Sequence, residues 1–229
     1  MNMCNEMKHL TLVIPAKNEK ESLHLVLQEL KEFNLKIIVV LEKTDLETIN
    51  SIKDYNCEII FQNNKGYGDA LIQGIERVTT KYFCIFNADG SFDPSEISKM
   101  FKFMISENLD FVFGSRYQKN ANSDDDTIIT LIGNYIFTYI GKIFFNLPIS
   151  DILYTFVIGK TDLVKSLNLK SEDFTFCVEL PIKAHRNKLK IFSIKSHERS
   201  RIAGKKKVNA FKDGFLILKK MILMYLKIN

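Results

Sequence analysis

Over its first 115 residues the chain repeats one arrangement: a short apolar run, then a stretch with helical spacing. The runs are Leu10 to Ile14, Lys36 to Leu41, Glu58 to Phe61, Tyr82 to Asn87 and Asp110 to Gly114. Between them lie predicted helices over Glu21 to Phe33, Asp45 to Tyr55, Gly68 to Thr79 and Pro94 to Ser106, the last with Asp93 placed to cap it. Runs that are apolar on both faces suit strands covered on both sides by helices, and their alternation with amphipathic helices predicts βαβ units. The expected fold class is therefore α/β: a single Rossmann-like domain with a mostly parallel central sheet. Such sheets bind ligands in the crevice beyond the carboxyl ends of their strands, so the residues just after each run are the ones to read for function.

Composition supports a folded domain and narrows its partners. The 229 residues are 46% hydrophobic and 26% charged, enough apolar content for a sizeable core and too much for disorder. The net charge of +5, with a pI near 8.9, suits phosphate-rich ligands or an anionic membrane surface, and equally serves solubility. The cysteines at 4, 57, 84 and 177 form no C-x-x-C pair, and His9, His24, His185 and His197 show no ligand spacing, so a zinc site and a disulfide framework are not expected. Residues 1–8 contain no long apolar core, and no uncharged run reaches the ~20 residues that span a bilayer. The expectation is a cytoplasmic protein with peripheral contact at the inner face of the cell membrane. Nucleic acid is not an expected partner, because the C-terminal lysines lack the aromatic interleaving of a strand-binding platform.

Beyond the fifth run the pattern changes. Gln118 to Thr127 is a polar loop with Asp124, Asp125 and Asp126 in a row, read as a solvated loop tip or helix start. Ile128 to Leu147 is almost wholly apolar, with Lys142 its one charge; a core helix, a membrane-interface helix and a dimer contact all fit it. From Lys205 the chain is basic and amphipathic, and the division expected is a domain over residues 1–207 followed by a C-terminal amphipathic helix over 208–229.

The segment Phe86-Asn87-Ala88-Asp89-Gly90-Ser91-Phe92-Asp93-Pro94 carries the chemistry. An acidic residue at a strand end before a glycine turn projects a carboxylate into the ligand crevice. Hard cations such as Mg²⁺ and Mn²⁺ share oxygen ligands with phosphates, so Asp89 can hold one against a diphosphate. Polar or glycine residues follow the other runs too: Pro15-Ala16-Lys17-Asn18-Glu19, Lys65-Gly66-Tyr67-Gly68-Asp69-Ala70 and Gly114-Ser115-Arg116-Tyr117.

Taken in order with Gly133-Asn134, Ile149-Ser150-Asp151-Ile152 and Glu198-Arg199-Ser200-Arg201-Ile202-Ala203-Gly204-Lys205, these segments resemble the family-two glycosyltransferases of the dolichyl-phosphate mannosyltransferase type, which have a GT-A fold. The resemblance runs from about Leu10 to Lys207. It implies an inverting transfer of a sugar from a nucleotide-diphosphate donor to a polyprenyl phosphate, with Mg²⁺ or Mn²⁺ as cofactor. It places Pro15, Ala16, Asn18, Glu19, Glu42, Gly66, Asp69, Asn87 and Ala88 around the nucleotide, with Gly66 and Gly68 letting the backbone approach it. Asp89 and Asn87 fall at the metal. Asp89, Arg116, Asp151 and Glu179 fall in the catalytic region, with Arg116 near the acceptor or donor phosphate and Asp151 orienting or deprotonating the acceptor, or making a structural contact. Arg199, Arg201 and Lys205 grip phosphate oxygens.

The chain departs from that pattern in three places. Leu41-Glu42-Lys43-Thr44-Asp45 stands where the family has paired aspartates, Asn87 replaces the first aspartate of the metal motif, and Thr155 and Val157 stand where glycine and arginine are usual. Two alternatives stay open: the same fold with a soluble or glycan acceptor, and a catalytically degenerate nucleotide-binding or scaffold protein. A homo-oligomer is also left open.

Overall fold

The computed structural model describes residues 6–204 and 206–227. The five apolar runs form β1 (Leu10–Pro15), β2 (Lys36–Leu41), β3 (Glu58–Phe61), β4 (Tyr82–Ile85) and β5 (Phe111–Ser115). The intervening helices are α1 (Leu23–Leu30, extended by a 3₁₀ turn to Phe33), α2 (Leu46–Ser51), α3 (Tyr67–Arg77) and α4 (Ser95–Ser106). Their ends follow local chemistry: Asp45 caps α2 by accepting from the Thr48 N–H, and Asp93 accepts from the Ser95 N–H at 2.8 Å.

After a two-residue β6 (Asn122–Ser123) come α5 (Ile128–Phe145), β7 (Val157–Lys160), α6 (Thr161–Ser166), α7 (Phe176–Arg186), β8 (Ile191–Lys195), β9 (His197–Glu198) and α8 (Ala210–Tyr225). The main sheet has the order β3-β2-β1-β4-β7-β5-β8. Every pairing is parallel except those of β7, which inserts antiparallel between β4 and β5. That strand was not anticipated, because Val157-Ile158-Gly159-Lys160 is short, holds only two large apolar residues and carries no mark of direction. One core lies on each face of the sheet: Val13, Val40, Phe83 and Phe113 point to one, Leu12, Val39, Cys84 and Val112 to the other.

The helices α5 and α8 both lie over the first of these cores. Ile217, Met221 and Met224 tie α8 into it, and Arg186 donates to the Met224 carbonyl at 2.6 Å. In α5 the usual pattern is inverted. Its buried residues are Asn134, Thr138 and Gly141, whereas Ile128, Ile129, Ile132, Tyr135, Ile136, Tyr139, Ile143 and Phe144 are all more than half exposed. Of the three readings left open for this segment, a simple core helix is excluded.

Candidate active site

The polar segments gather at the carboxyl ends of β1, β2 and β4. After β1, Pro15 closes the strand and Ala16 continues it with an N–H bond to the Val40 carbonyl. Asn18 adopts a left-handed conformation (φ 51°), a turn that asparagine tolerates, and its N–H donates to Asp45. Glu19 is thereby turned inward: its own N–H donates to Thr48 Oγ1, and its carboxylate accepts from Ser22 Oγ at 2.7 Å and pairs with Lys207. Glu42, at the end of β2, accepts from Lys17 Nζ at 2.7 Å. Asp45 is spent on the Asn18 turn and on capping α2, which leaves Glu42 as the carboxylate of that segment nearest the strand end.

After β4 the chain makes the acidic turn. Gly90 has φ 81°, and a Cβ there would meet Ile202 at 2.4 Å, so both conformation and space require glycine. The turn is tied by Asp89 Oδ1, which accepts from the Ser91 N–H and hydroxyl, while Asn87 Nδ2 donates weakly to Ser91 Oγ. Among the described residues Asp89 Oδ2 accepts no hydrogen bond and has Arg201 Nη1 at 3.7 Å. Ala88 is buried between the two polar positions.

Over this turn lies a strap that runs from Glu198 towards α8. Ile202 N–H donates to the Asp89 carbonyl and Arg199 N–H to the Ser91 carbonyl, both at 2.8 Å. Arg199 holds the Gly90 and Phe92 carbonyls and Glu29, so its guanidinium braces the turn rather than facing an opening. Arg201 forks onto Asp125, and this hydrogen bonding raises its pKa; Asp125, despite burial, is held below the usual carboxylate range by Arg201 and Lys206. Lys205 lies outside the described residues.

Arg116 and Asp151 form a second, buried cluster. Arg116 Nε and Nη2 bind the two oxygens of Asp151 at 2.7 and 3.0 Å, and Nη1 reaches Glu198 at 3.1 Å. Its plane lies over the Tyr154 ring at 4.6 Å, and Asp151 is fully buried. Burial opposes the charge of Arg116, but Asp151 and Glu198 raise its pKa well above the ordinary value. Burial pushes the Glu198 carboxyl up, partly offset by Arg116. Of the roles expected for Asp151, this geometry matches the structural contact, and it commits Arg116 to the same cluster instead of an acceptor phosphate.

Glu179 is also a buried anchor. It accepts from the Lys170 and Ser171 N–H groups and pairs with Lys183, and these bonds hold its pKa low against the upward push of burial. The loop it anchors explains the glycines of α3. A Cβ on Gly66 would stand 2.1 Å from the Glu172 carbonyl oxygen, and one on Gly68 would stand 2.0 Å from that of Ser171. These glycines therefore admit the 171–173 backbone, which corrects the expectation that they make room for a nucleoside. Asp69 is buried and accepts from Asn64 and Gln73, fixing the loop before α3.

Sequence reasoning missed the partners that fold back on these groups. Asp124, Asp125 and Asp126, expected as a solvated tip, pair respectively with His197, with Arg201 and Lys206, and with the Tyr117 hydroxyl. The expected helix start is there, since Thr127 and Thr130 form a capping box on α5. Lys207 and Glu198 carried no signal of their own, because their partners lie 188 and 82 residues away. Among the described residues no three His, Cys, Asp or Glu side chains converge to hold a metal.

A sheet of this order, with an acidic turn after its fourth strand, is the GT-A glycosyltransferase fold. Glucosyl-3-phosphoglycerate synthase of Mycobacterium tuberculosis, solved with Mn²⁺, UDP-glucose and phosphoglyceric acid, matches with a TM-score of 0.76 at 12% identity, over 100% of this chain and 85% of that one. Mannosyl-3-phosphoglycerate synthase of Rubrobacter xylanophilus matches at 0.70 and 13% identity, over 98% and 77%. The chain belongs to glycosyl transferase family 2, whose family model matches residues 11–167. A UDP-N-acetylglucosamine–dolichyl-phosphate N-acetylglucosaminyltransferase of Methanococcus voltae is 24% identical over 208 residues, 80% of this chain and 83% of that protein.

Proposed function

We propose that this protein moves a sugar, with inversion, from a nucleoside-diphosphate donor to the phosphate of a polyprenyl lipid at the cytoplasmic face of a membrane. The observation that carries the lipid acceptor is the exposed face of α5 and α8. The two helices pack together through Phe144, Phe145 and Tyr225, and α8 adds exposed Phe211, Phe215 and Ile222, with Leu226 at its C-cap, to the apolar residues of α5. Exposed apolar patches of this kind mark interaction surfaces. Lysines 142, 212 and 219, all exposed, lie on the same helices, with exposed Lys227 just beyond α8, as on helices that rest on anionic lipid. The Methanococcus voltae relative is named for transfer to dolichyl phosphate.

The reaction in this reading is a single displacement. A phosphate oxygen of the acceptor forms a bond to the anomeric carbon as the bond to the diphosphate breaks, and the electron pair leaves with the nucleoside diphosphate. The acceptor is already anionic near neutral pH and needs no strong base, which accords with Asp151 and Glu179 being spent on structure. Glu19 and Glu42 offer acceptor oxygens to the donor's hydroxyl or base N–H groups. A divalent cation suits Asp89, whose Oδ2 is open to it: Mg²⁺ and Mn²⁺ are commonly held by one or two carboxylates plus phosphate oxygens. Such an ion, bound by Asp89 with Asn87 beside it, supplies charge neutralisation for the leaving diphosphate. Arg201 adds a fixed cation on the same side.

The test is transfer from UDP-, GDP-, CDP- or dTDP-sugars, with Mn²⁺, to a short polyprenyl phosphate in vesicles or to 3-phosphoglycerate. Lipid-linked sugar that forms in the wild type and not in Asp89→Ala supports the reading. Product on the soluble phosphate alone replaces the lipid with the acceptor class of the solved relatives. Absence of both transfer and donor hydrolysis favours a degenerate nucleotide-binding protein.

A further inference from the structure

The strap between Glu198 and α8 is fastened unevenly. Its front half is bolted to the acidic turn by the backbone bonds of Arg199 and Ile202. Its rear half, from Ala203 to Val208, makes no backbone hydrogen bond among the described residues. The polar ties there are side-chain clasps: Lys206 on Asp125, and Lys207 on Glu19. Gly204, at φ 81°, brings the strap against Glu19, and together they wall a cavity of about 170 Å³ at the end of β1. Lys207 therefore occupies the carboxylate that the donor is proposed to use. Asn209, two residues further on, is the N-cap of α8.

We infer that Lys207 is a clasp that restrains donor binding, and that an anionic bilayer releases it. This rests on the transferase reading and on the placement of α5 and α8 at a membrane. The Lys206 and Lys207 side chains are about a third exposed, so lipid headgroups can reach them. A partly exposed ion pair and a lysine on anionic lipid are of comparable strength, so exchange between the two is close to balanced. When α8 settles on the bilayer, Lys206 and Lys207, just before its N-cap, are carried to the headgroups. Glu19 is then freed for the donor, and binding is favoured where the acceptor resides. The front half of the strap, with Arg201 beside Asp89, stays in place.

The test measures UDP and GDP affinity, each with Mn²⁺, on the full chain without vesicles, with phosphatidylcholine vesicles, and with vesicles containing phosphatidylglycerol. Anionic vesicles should tighten binding of the nucleotide that binds by about three- to fivefold, and neutral ones should not, the range expected from releasing one partly exposed ion pair. Lys207→Gln should bind as tightly without vesicles as the wild type does with them, and should gain nothing further. Lys207→Arg should behave as the wild type. Equal affinity of wild type and Lys207→Gln overturns the clasp. Weaker binding by Lys207→Gln also overturns it, making Lys207 a ligand of the donor. Vesicles that fail to bind the protein remove the coupling, and failure of every form to bind a nucleotide removes the transferase reading with it.

Discussion

Replacing Asp151 by asparagine would separate a structural carboxylate from a catalytic one. Asp151 is fully buried and takes three bonds from Arg116: its N–H at 3.2 Å, Nε at 2.7 Å and Nη2 at 3.0 Å. The amide keeps the shape but loses the charge and turns a donor towards the guanidinium. Breaking one partner of a buried pair costs about 3–5 kcal/mol. Glu198, at 3.1 Å from Nη1, still compensates part of the Arg116 charge, so the lower end, about 3 kcal/mol, is expected. Arg116→Met should cost more, about 4–5 kcal/mol, because it strands Asp151 and Glu198 together and removes the cation stacked on Tyr154. At about 2–4 °C per kcal/mol for a domain of this size, Asp151→Asn should lower Tm by roughly 6–12 °C and Arg116→Met by roughly 8–20 °C. Thermal unfolding followed by circular dichroism reads both. A Tm within 2 °C of wild type for Asp151→Asn, together with loss of transfer, would refute the structural assignment and make Asp151 a group that acts on substrate.

Asp89→Asn should reduce transfer by at least about a hundredfold, since it removes the charge offered to the cation, while Tm changes little because its amide oxygen can still accept from Ser91; an active variant would sink the site assignment. Gly68→Ala should cost about 3 kcal/mol, since its Cβ meets a backbone oxygen that cannot swing aside, and a wild-type Tm would show that the 171–173 loop is free to move. Ile136→Glu with Phe215→Glu should weaken sedimentation with phosphatidylglycerol vesicles by about tenfold and leave Tm unchanged, because both side chains are exposed; undiminished sedimentation would take the bilayer off this face. Stability should fall as pH drops below 4.5. Glu179 and Asp125 have folded pKa values below their ordinary 4.5 and 3.8, so their contribution is complete above those values and is lost as pH falls through the lowered ones. Glu198, raised by burial, runs the other way and relieves a penalty as pH falls towards 4.5, so a calorimetric Tm that declines steadily from pH 7 would contradict this balance.

The parallel sheet was legible because its signal is local. Each strand from β1 to β5 is an apolar run bounded by turn residues, and the observed ends lie within two residues of those expected. The same is true of the acidic turn, whose Asp89-Gly90 pair can be read from neighbouring residues alone. By itself, then, the sequence determined the α/β alternation, the sheet edge that carries the polar loops, and the carboxylate at the end of β4.

Only the tertiary structure decided what those groups face. Arg116, Asp151 and Glu179 were placed in the catalytic region by the resemblance, yet folding closes each into a buried ion pair: Arg116 with Asp151, 35 residues away, where no local pattern encodes the partner, and Glu179 with Lys183 one helical turn on. Gly66 and Gly68 read as room for a ligand and are filled by the 171–173 backbone. In α5 the periodicity left open whether the apolar stripe faced the core, a membrane or a second copy. Because Asn134 donates to the Tyr117 hydroxyl at 2.6 Å and Thr138 Oγ1 accepts from the Ile152 N–H at 3.2 Å, the polar side is the one drawn into the protein, and the apolar side is left facing out. Periodicity gives the existence of two faces; which of them is buried depends on the hydrogen-bonding partners that the rest of the chain presents.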